Sequence, residues 1–242
     1  MWPFNRKRDT LEKSGMLRGM TDWHSHILPG VDDGIPNPEE SLKVLRAYDE
    51  MGIKRVWLTP HIMEDFPNKT EDLQKRFEEL CLMWDGNVEL KLAAENMLDS
   101  LFEERLEKRD FLPIGDDGNH LLVETSSFNP PMNFDELIDG VFSAGYYPVL
   151  AHPERYRYMK EADYRRLKER GVVFQTNMLS LVGAYGDTAR KKAEWMLKEG
   201  MIDLTGSDVH RLSMLRRYLQ EAPKKQEHVE RIREVALNPR IE

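Results

Sequence analysis

The sequence predicts an α/β fold, a distorted (β/α)7 barrel with one additional helix at its C-terminal end. Three observations predict it. Short apolar or β-branched runs alternate with longer amphipathic stretches, the pattern of strands and helices around a parallel sheet. Seven such units occupy 242 residues without a Pro/Gly-rich linker or low-complexity tract between them, which favours one barrel-sized domain. Histidines and acids recur at the C-terminal ends of the strand-like runs, where barrels build their active sites.

In chain order, residues 1–19 are an N-terminal extension and residues 20–242 a single barrel domain. The first eight residues set Trp2 and Phe4 ahead of Arg6, Lys7 and Arg8, the reverse of a secretory leader, so the cytoplasm is the expected compartment. Strands are expected at 20–24, 55–59, 88–94, 121–124, 147–151, 172–176 and 202–206. Helices are expected at 38–51, 70–84, 100–108, 133–144, 161–170 and 188–199. The first opens on Pro38 with Glu39 and Glu40 in its first turn. Gly52, Gly145, Gly171 and Gly200 stand just before the next strand, as helix C-caps do. Residues 224–237 read as a final helix packed on the outside.

Composition removes several function classes. No apolar run approaches the ~20 residues a membrane span needs, so no membrane insertion is expected. With 35 basic and 43 acidic side chains the net charge is −8, which argues against a sequence-independent grip on nucleic acid or anionic lipid. A phosphate-bearing substrate would therefore need a local positive centre. The single cysteine, Cys81, excludes a disulfide scaffold and a four-cysteine zinc site. It runs into Leu82, Met83 and Trp84 on a helical stretch, not into a phosphate loop, so it is no thiol-phosphatase nucleophile and reads as ordinary packing.

Six of the seven strand ends offer a metal-ligand side chain. Strand one ends in Asp22-Trp23-His24-Ser25-His26 and strand two runs into Thr59-Pro60-His61. Strands three and four deliver Glu95 and Glu124, strand five His152-Pro153, and strand seven Ser207-Asp208-Val209-His210. A lone histidine is more often a hydrogen-bonded core residue than a ligand, and a lone glutamate a solvated surface group; here the set decides. His24 and His26 alternate along a strand and face one side, as do Asp208 and His210. His120, before a strand, and His228, in the outer helix, carry no such signal. The Asp32-Asp33-Gly34 loop is either a plain turn or an acid folded back over the mouth.

Together, Asp-x-His-x-His, the Asp-Asp-Gly loop, Thr-Pro-His, His152-Pro153-Glu154-Arg155 and Ser207-Asp208-x-His210 resemble the polymerase and histidinol phosphatase (PHP) superfamily. The closer resemblance is to the bacterial CpsB/CapC-type manganese-dependent protein-tyrosine phosphatases of capsule and exopolysaccharide biosynthesis. It spans roughly residues 20–220 and implies a PHP-type, TIM-like barrel. It implies metal ligands at His24, His26, Asp33, His61, Glu95, Glu124, His152, Asp208 and His210, with Asp32 the alternative to Asp33. It also implies a phosphate-binding Arg155 and a second arginine after the last ligand, taken as Arg216 with Arg211 and Arg217 as alternatives. Where the family often shows Gly-x-Glu, this chain has Ala93-Ala94-Glu95.

Nine mixed imidazole and carboxylate ligands exceed one ion and suit two or three divalent transition metals, Mn first, with Fe or Zn the alternatives. Asp33, Glu95, Glu124 and Asp208 are four negative charges, so two divalent ions leave the site neutral and three leave it positive. Such a site would hydrolyse a phosphate ester by a metal-bound hydroxide, and the resemblance implies that the ester is phosphotyrosine in proteins. Arg155 would grip the non-bridging oxygens, with His210 or a water as proton donor if one is needed. The resemblance also implies the partner, a phosphotyrosyl protein, here a bacterial tyrosine kinase tail. Phe66, Phe128, Tyr156 and Tyr158 follow strand ends and are candidates for a ring-accepting cleft or for packing.

Three rival readings stand beside this one. A PHP phosphoesterase would act instead on a small monoester such as histidinol phosphate, or on a phosphodiester. An amidohydrolase barrel also opens with His-x-His, but many members end a middle strand in lysine, where this chain has Glu124. A non-catalytic PHP binding module would show decayed ligand positions; every candidate position here carries a competent side chain.

Overall fold

Parallel strands and the helices between them follow one another through residues 9–241, the part of the chain that the computed structural model describes. Trp2, Phe4 and the basic Arg6 to Arg8 lie outside the described residues. The strands are β1 (Thr21–Asp22), β2 (Arg55–Leu58), β3 (His61–Ile62), β4 (Glu89–Leu92), β5 (Glu95–Met97), β6 (His120–Glu124), β7 (Tyr147–Ala151), β8 (Val173–Asn177) and β9 (Leu204–Gly206). They form two sheets, ordered β1-β2-β4 and β3-β5-β6-β7-β8-β9, with parallel pairing throughout.

The seven expected strands become nine because two of them kink. Pro60 lacks the N–H a ladder needs and separates β2 from β3; Ala93-Ala94 separates β4 from β5. Backbone bonds continue across both kinks, from Ala93 N to Leu58 O at 2.9 Å and from Glu95 N to Pro60 O at 3.0 Å. The first and last strands are also joined. Trp23 N donates to Thr205 O (3.1 Å), Asp208 N to His24 O (2.8 Å) and His26 N to Val209 O (3.1 Å). The strand order thus runs round to its start, as a distorted seven-stranded barrel requires.

The helices are α1 (Pro38–Met51), α2 (Thr70–Met83), α3 (Ser100–Lys108), α4 (Phe134–Ser143), α5 (Glu161–Glu169), α6 (Gly186–Lys198), α7 (Leu212–Leu219) and α8 (Gln226–Leu237). In α1, the Asn37 side chain accepts from Glu40 N, Pro38 opens the helix and Gly52 closes it at φ 78°, so both ends are capped by residue chemistry. Two 3-10 turns, Pro153–Arg155 and Met178–Val182, follow β7 and β8. The apolar stripes of the helices, including Leu45, Phe102, Leu167 and Leu197, pack on the outer face of the sheet with Leu121, Val123 and Leu150. Inside the ring lies a second cluster of Trp23, Trp57, Ala93, Leu122, Val149, Ala151 and Leu204. The two indoles stack at 5.9 Å. This layer floors the mouth above it, as inward side chains do in barrels.

Two features differ from the sequence expectation. Cys81 is exposed rather than packed. Helix α2 buries only Leu73 and Leu80, and the neighbour of Leu80 points about 100° away from that narrow stripe. Helix α7 was not expected; it is eight residues long and buries only Leu215 and Leu219, too little periodicity to read. Residues 9–19 pack on the domain, with Leu11, Met16 and Leu17 in the outer core and Leu11 N donating to Glu221 O at 3.1 Å.

Candidate metal centre

All nine candidate ligands meet at the C-terminal mouth. His24 and His26 follow β1, His61 opens β3, Glu95 opens β5, Glu124 closes β6, His152 follows β7, and Asp208 and His210 follow β9. Their ligand atoms form four overlapping groups, each within 4.8 Å: His26, Asp33, His61 and His210; His24, Glu95 and His152; His24, His26 and Asp208; and His61, Glu95 and Glu124. Glu95, fully buried, is the hub. Its Oε2 lies 3.1 Å from His24 Nε2, 3.3 Å from His26 Nε2 and 3.1 Å from His61 Nδ1, and its Oε1 lies 2.9 Å from His152 Nε2. Asp33 Oδ1 closes the rim, 3.3 Å from His210 Nε2 and 3.6 Å from His61 Nε2.

The groups behind the cup orient it. His24 Nδ1 meets Gln175 Oε1 and His26 Nδ1 meets Asp32 Oδ2, both at 2.8 Å; His210 Nδ1 meets the Asp208 carbonyl at 3.0 Å. Each contact uses Nδ1 as donor and leaves the Nε2 lone pair facing inward. Asp32 and Asp33 thus divide the work: Asp32 also accepts from His61 N at 3.1 Å, while Asp33 faces the cup. Asp22, the first residue of Asp-x-His-x-His, turns away. Its carboxylate accepts from Ser207 N (2.8 Å) and from the Tyr48 hydroxyl (2.6 Å), tying β1 to the end of β9. His152 (φ 33°) and Asp208 (φ 53°) sit in the left-handed backbone region. Such conformations cost order 1 kcal/mol or more and persist where the surroundings fix them.

Burial opposes every charge here, and in most cases the partners outweigh it. Glu95 and Asp208 raise His24 to about 9, and Asp32 with Asp208 and Glu95 holds His26 well above its ordinary value. Reciprocally, the imidazoles keep Glu95 and Asp208 well below the carboxylate range. His210 beside it brings Asp33 down to about 2. His152 is the exception, lowered by burial and then by nearby Arg155.

Arg155 reaches the cup directly: its Nη1 donates to Asp208 Oδ2 at 2.8 Å and its guanidinium lies 4.8 Å from the centre of the Tyr185 ring. Asn177 Nδ2 (2.7 Å) and the Tyr185 hydroxyl (3.2 Å) donate to that same oxygen. Gln175, Asn177, Tyr185 and Asp32 escaped the sequence reading as orienting groups. The one signal for the first two was that the sixth strand alone offered no ligand, and they sit at its end.

Two clefts flank the mouth. One of about 330 Å³ is lined by Ser127, Phe128, Arg155, Arg157, Tyr185 and the start of α6. The other, about 590 Å³, is lined by Gly34, Ile35, Pro36, His210, Arg211 and Arg216 among others. Arg216, exposed on α7, lines this second cleft but makes no contact with the cup; the Arg217 guanidinium lies over the Tyr218 ring at 5.5 Å. Of the four aromatic candidates, Phe66 lies against His61 (6.1 Å between ring centres) and Phe128 is 60% exposed. Tyr156 is buried and is packing rather than cleft wall: its hydroxyl accepts from Thr125 N, and it stacks on the half-buried Tyr158.

Comparison with known proteins agrees with this arrangement. The family model described as capsular polysaccharide synthesis, CpsB/CapC, matches residues 20–235. The chain is similar to tyrosine-protein phosphatase YwqE of Bacillus subtilis, 27% identical over 209 residues that cover 84% of this chain and 82% of YwqE. It is also similar to tyrosine-protein phosphatase CpsB of Streptococcus agalactiae, 28% identical over 225 residues covering 85% and 88%. Among solved structures it matches one described under YwqE from Bacillus subtilis and CpsB from Streptococcus pneumoniae, unique metal-dependent tyrosine phosphatases. The TM-score is 0.72 at 24% identity, covering 92% of this chain and all of that one. That likeness shows the fold. With nearly its whole length inside the family model, the chain belongs to the CpsB/CapC family of capsular polysaccharide synthesis.

Proposed function

We propose that this protein hydrolyses phosphotyrosine in proteins with the help of two or three divalent metal ions, Mn foremost, and that it acts in the cytoplasm on a bacterial tyrosine kinase in capsule or exopolysaccharide synthesis. The observation that carries the reading is the convergence of nine ligand-type side chains with Arg155 at one mouth. The names of its relatives supply the substrate class.

The cup fits cations. His24 Nε2 and His26 Nε2 face each other at 3.1 Å while Nδ1 of each ring is held by Gln175 or Asp32, so in the neutral rings that a metal binds both Nε2 lone pairs point at one place. His61 Nδ1 and Glu124 Oε1 are buried without a hydrogen-bond partner although they lie 3.1 Å apart. A mixed imidazole and carboxylate donor set suits Mn, Fe or Zn. His24, His26, Asp33, His61, Glu95, Glu124, His152, Asp208 and His210 would hold the ions. Bound there, they supply positive charge for a phosphate dianion and acidify water toward a neutral-pH nucleophile.

The remaining work falls to the chain. Arg155, braced by Asp208 and the Tyr185 ring, presents a planar donor fork to the non-bridging oxygens and neutralises charge as it spreads in the transition state. Arg216 shares with His210 the cleft of about 590 Å³ and is the second cation offered to the incoming phosphate. With Nε2 facing the ions and Nδ1–H on the Asp208 carbonyl, His210 has no proton to spare for the leaving oxygen, and a water is left as the donor. A phenolate, with a pKa of about 10, needs that help less than an alkoxide does. Gln175, Asp32 and Asp208 fix the ring orientations, so the ligand set is preorganised.

The test is hydrolysis of a phosphotyrosyl peptide after EDTA treatment and again after Mn, Fe or Zn is restored, beside histidinol phosphate and a nucleotide diester. Activity lost with EDTA, restored by Mn and greatest on the peptide is the expected result. Preference for either of the other substrates would overturn the substrate assignment. His152→Ala and Arg155→Ala are expected to keep the fold by circular dichroism and lose about 100-fold or more in kcat/KM; parental activity in either would remove that residue from the site.

A further inference from the structure

We propose that the cleft between Arg155 and the loop after β6 is a specificity subsite that takes the residue adjacent to the phosphotyrosine and selects an acidic side chain there through Arg157. This rests on the phosphatase reading above and deepens it.

The cleft opens from the catalytic mouth, because Arg155 both lines it and contacts Asp208. Its near wall is Arg155 with Tyr185; its far wall is Phe128 with Arg157. The far wall is held together at its base, where Arg157 N donates to Ser127 O at 2.8 Å. A volume of about 330 Å³ holds one or two side chains and not a second domain.

Arg157 is the informative residue. Its guanidinium lies 4.6 Å from the centre of the Phe128 ring, and among the described residues no carboxylate lies within ion-pair distance of it. Its neighbours across the cleft are committed to acids, Arg155 to Asp208 and Arg190 to Asp187, and Arg157 is not. In a chain of net charge −8, a cation resting on an exposed ring instead of an acid remains available to an incoming carboxylate. The acid on the opposite lip, Asp187, is already gripped by Arg190 through Nε (3.2 Å) and Nη2 (2.9 Å), so it competes little for Arg157. Phe128 itself is 60% exposed, and Met132, farther along the same loop, is fully exposed. Apolar surface at the lip of a site is what an extended peptide covers as it binds.

The experiment uses the metal-loaded enzyme and phosphotyrosyl peptides identical except for Glu, Ala or Lys at the positions flanking the phosphotyrosine. The glutamate peptide is expected to exceed the alanine peptide about fivefold in kcat/KM, through KM, as a rim ion pair allows. Arg157→Gln is expected to collapse that ratio toward one, and Arg157→Glu to invert it in favour of the lysine peptide. The same order should appear in the Kd of non-hydrolysable phosphonate peptides measured by fluorescence anisotropy. If Arg157 only packs the loop, all three peptides weaken together and no inversion appears, which overturns the proposal. Equal turnover of the three peptides by the parent also overturns it while leaving the phosphatase reading intact. Failure to hydrolyse any of the peptides or a simple aryl phosphate overturns both.

Discussion

Glu154 shows how a residue can serve the site without touching it. It lies fully buried between two functional neighbours, His152 and Arg155, and its Oε1 accepts from Asn177 N (3.1 Å) and Ser180 Oγ (2.7 Å). Oε2 has no partner, and burial pushes the carboxyl up from 4.5 to about 7. The raised value means that the folded state keeps a proton the unfolded chain releases, so this group costs stability as pH rises from about 4.5 through 7. The full penalty, up to about 3 kcal/mol, applies above 7. Glu154→Gln retains the Oε1 acceptor and removes the ionisation. Its stability relative to the parent is expected to rise between pH 5 and pH 8 by about 1 to 3 kcal/mol in urea unfolding; a difference that stays flat across that range would contradict this placement. The His-Pro-Glu-Arg motif drew attention to this stretch in the sequence. That Glu154 braces the turn while His152 and Arg155 reach the cup became visible only once β8 was packed alongside.

Among elements, the loop after β1 carries the most specific constraint. A Cβ on Gly34 would stand 2.4 Å from His26 O and 2.5 Å from His26 Cβ, and its N–H donates to Asp32 Oδ1 at 2.9 Å. Only glycine lets this loop double back so that Asp32 braces His26 while Asp33 reaches the rim. Gly34→Ala is expected to keep the fold and weaken metal retention about tenfold, measured by competition with a fluorescent chelator. Unchanged retention would show that the loop tolerates the shift. The sequence could place the acids on a turn but could not choose between them, because Asp-Gly is the commonest of turn signals and side-chain direction depends on the loop's path. Strands were legible because most are apolar and bounded by turn residues. The kinks at Pro60 and Ala93-Ala94 were less so, since backbone pairing continues across both. Helix α7 and the neutral amides of β8 carried too little pattern to read.

At the scale of the whole molecule, the barrel explains why candidate ligands spread from His24 to His210 share one cup. Parallel strands deliver their C-terminal ends to the same face, and the bonds between β1 and β9 bring the first and last motifs side by side. That much followed from spacing and motif order alone. The orienting groups did not, because they were recognisable only by proximity: Tyr185 from the turn before α6, Gln175 and Asn177 from β8, and Tyr48 from α1. The central claim is that this cup is built for a cluster of divalent ions. Anomalous diffraction from crystals grown with Mn tests it most directly. Two or three Mn peaks among His24, His26, Asp33, His61, Glu95, Glu124, His152, Asp208 and His210 is the expected result; a single peak, or none within that set, would contradict it.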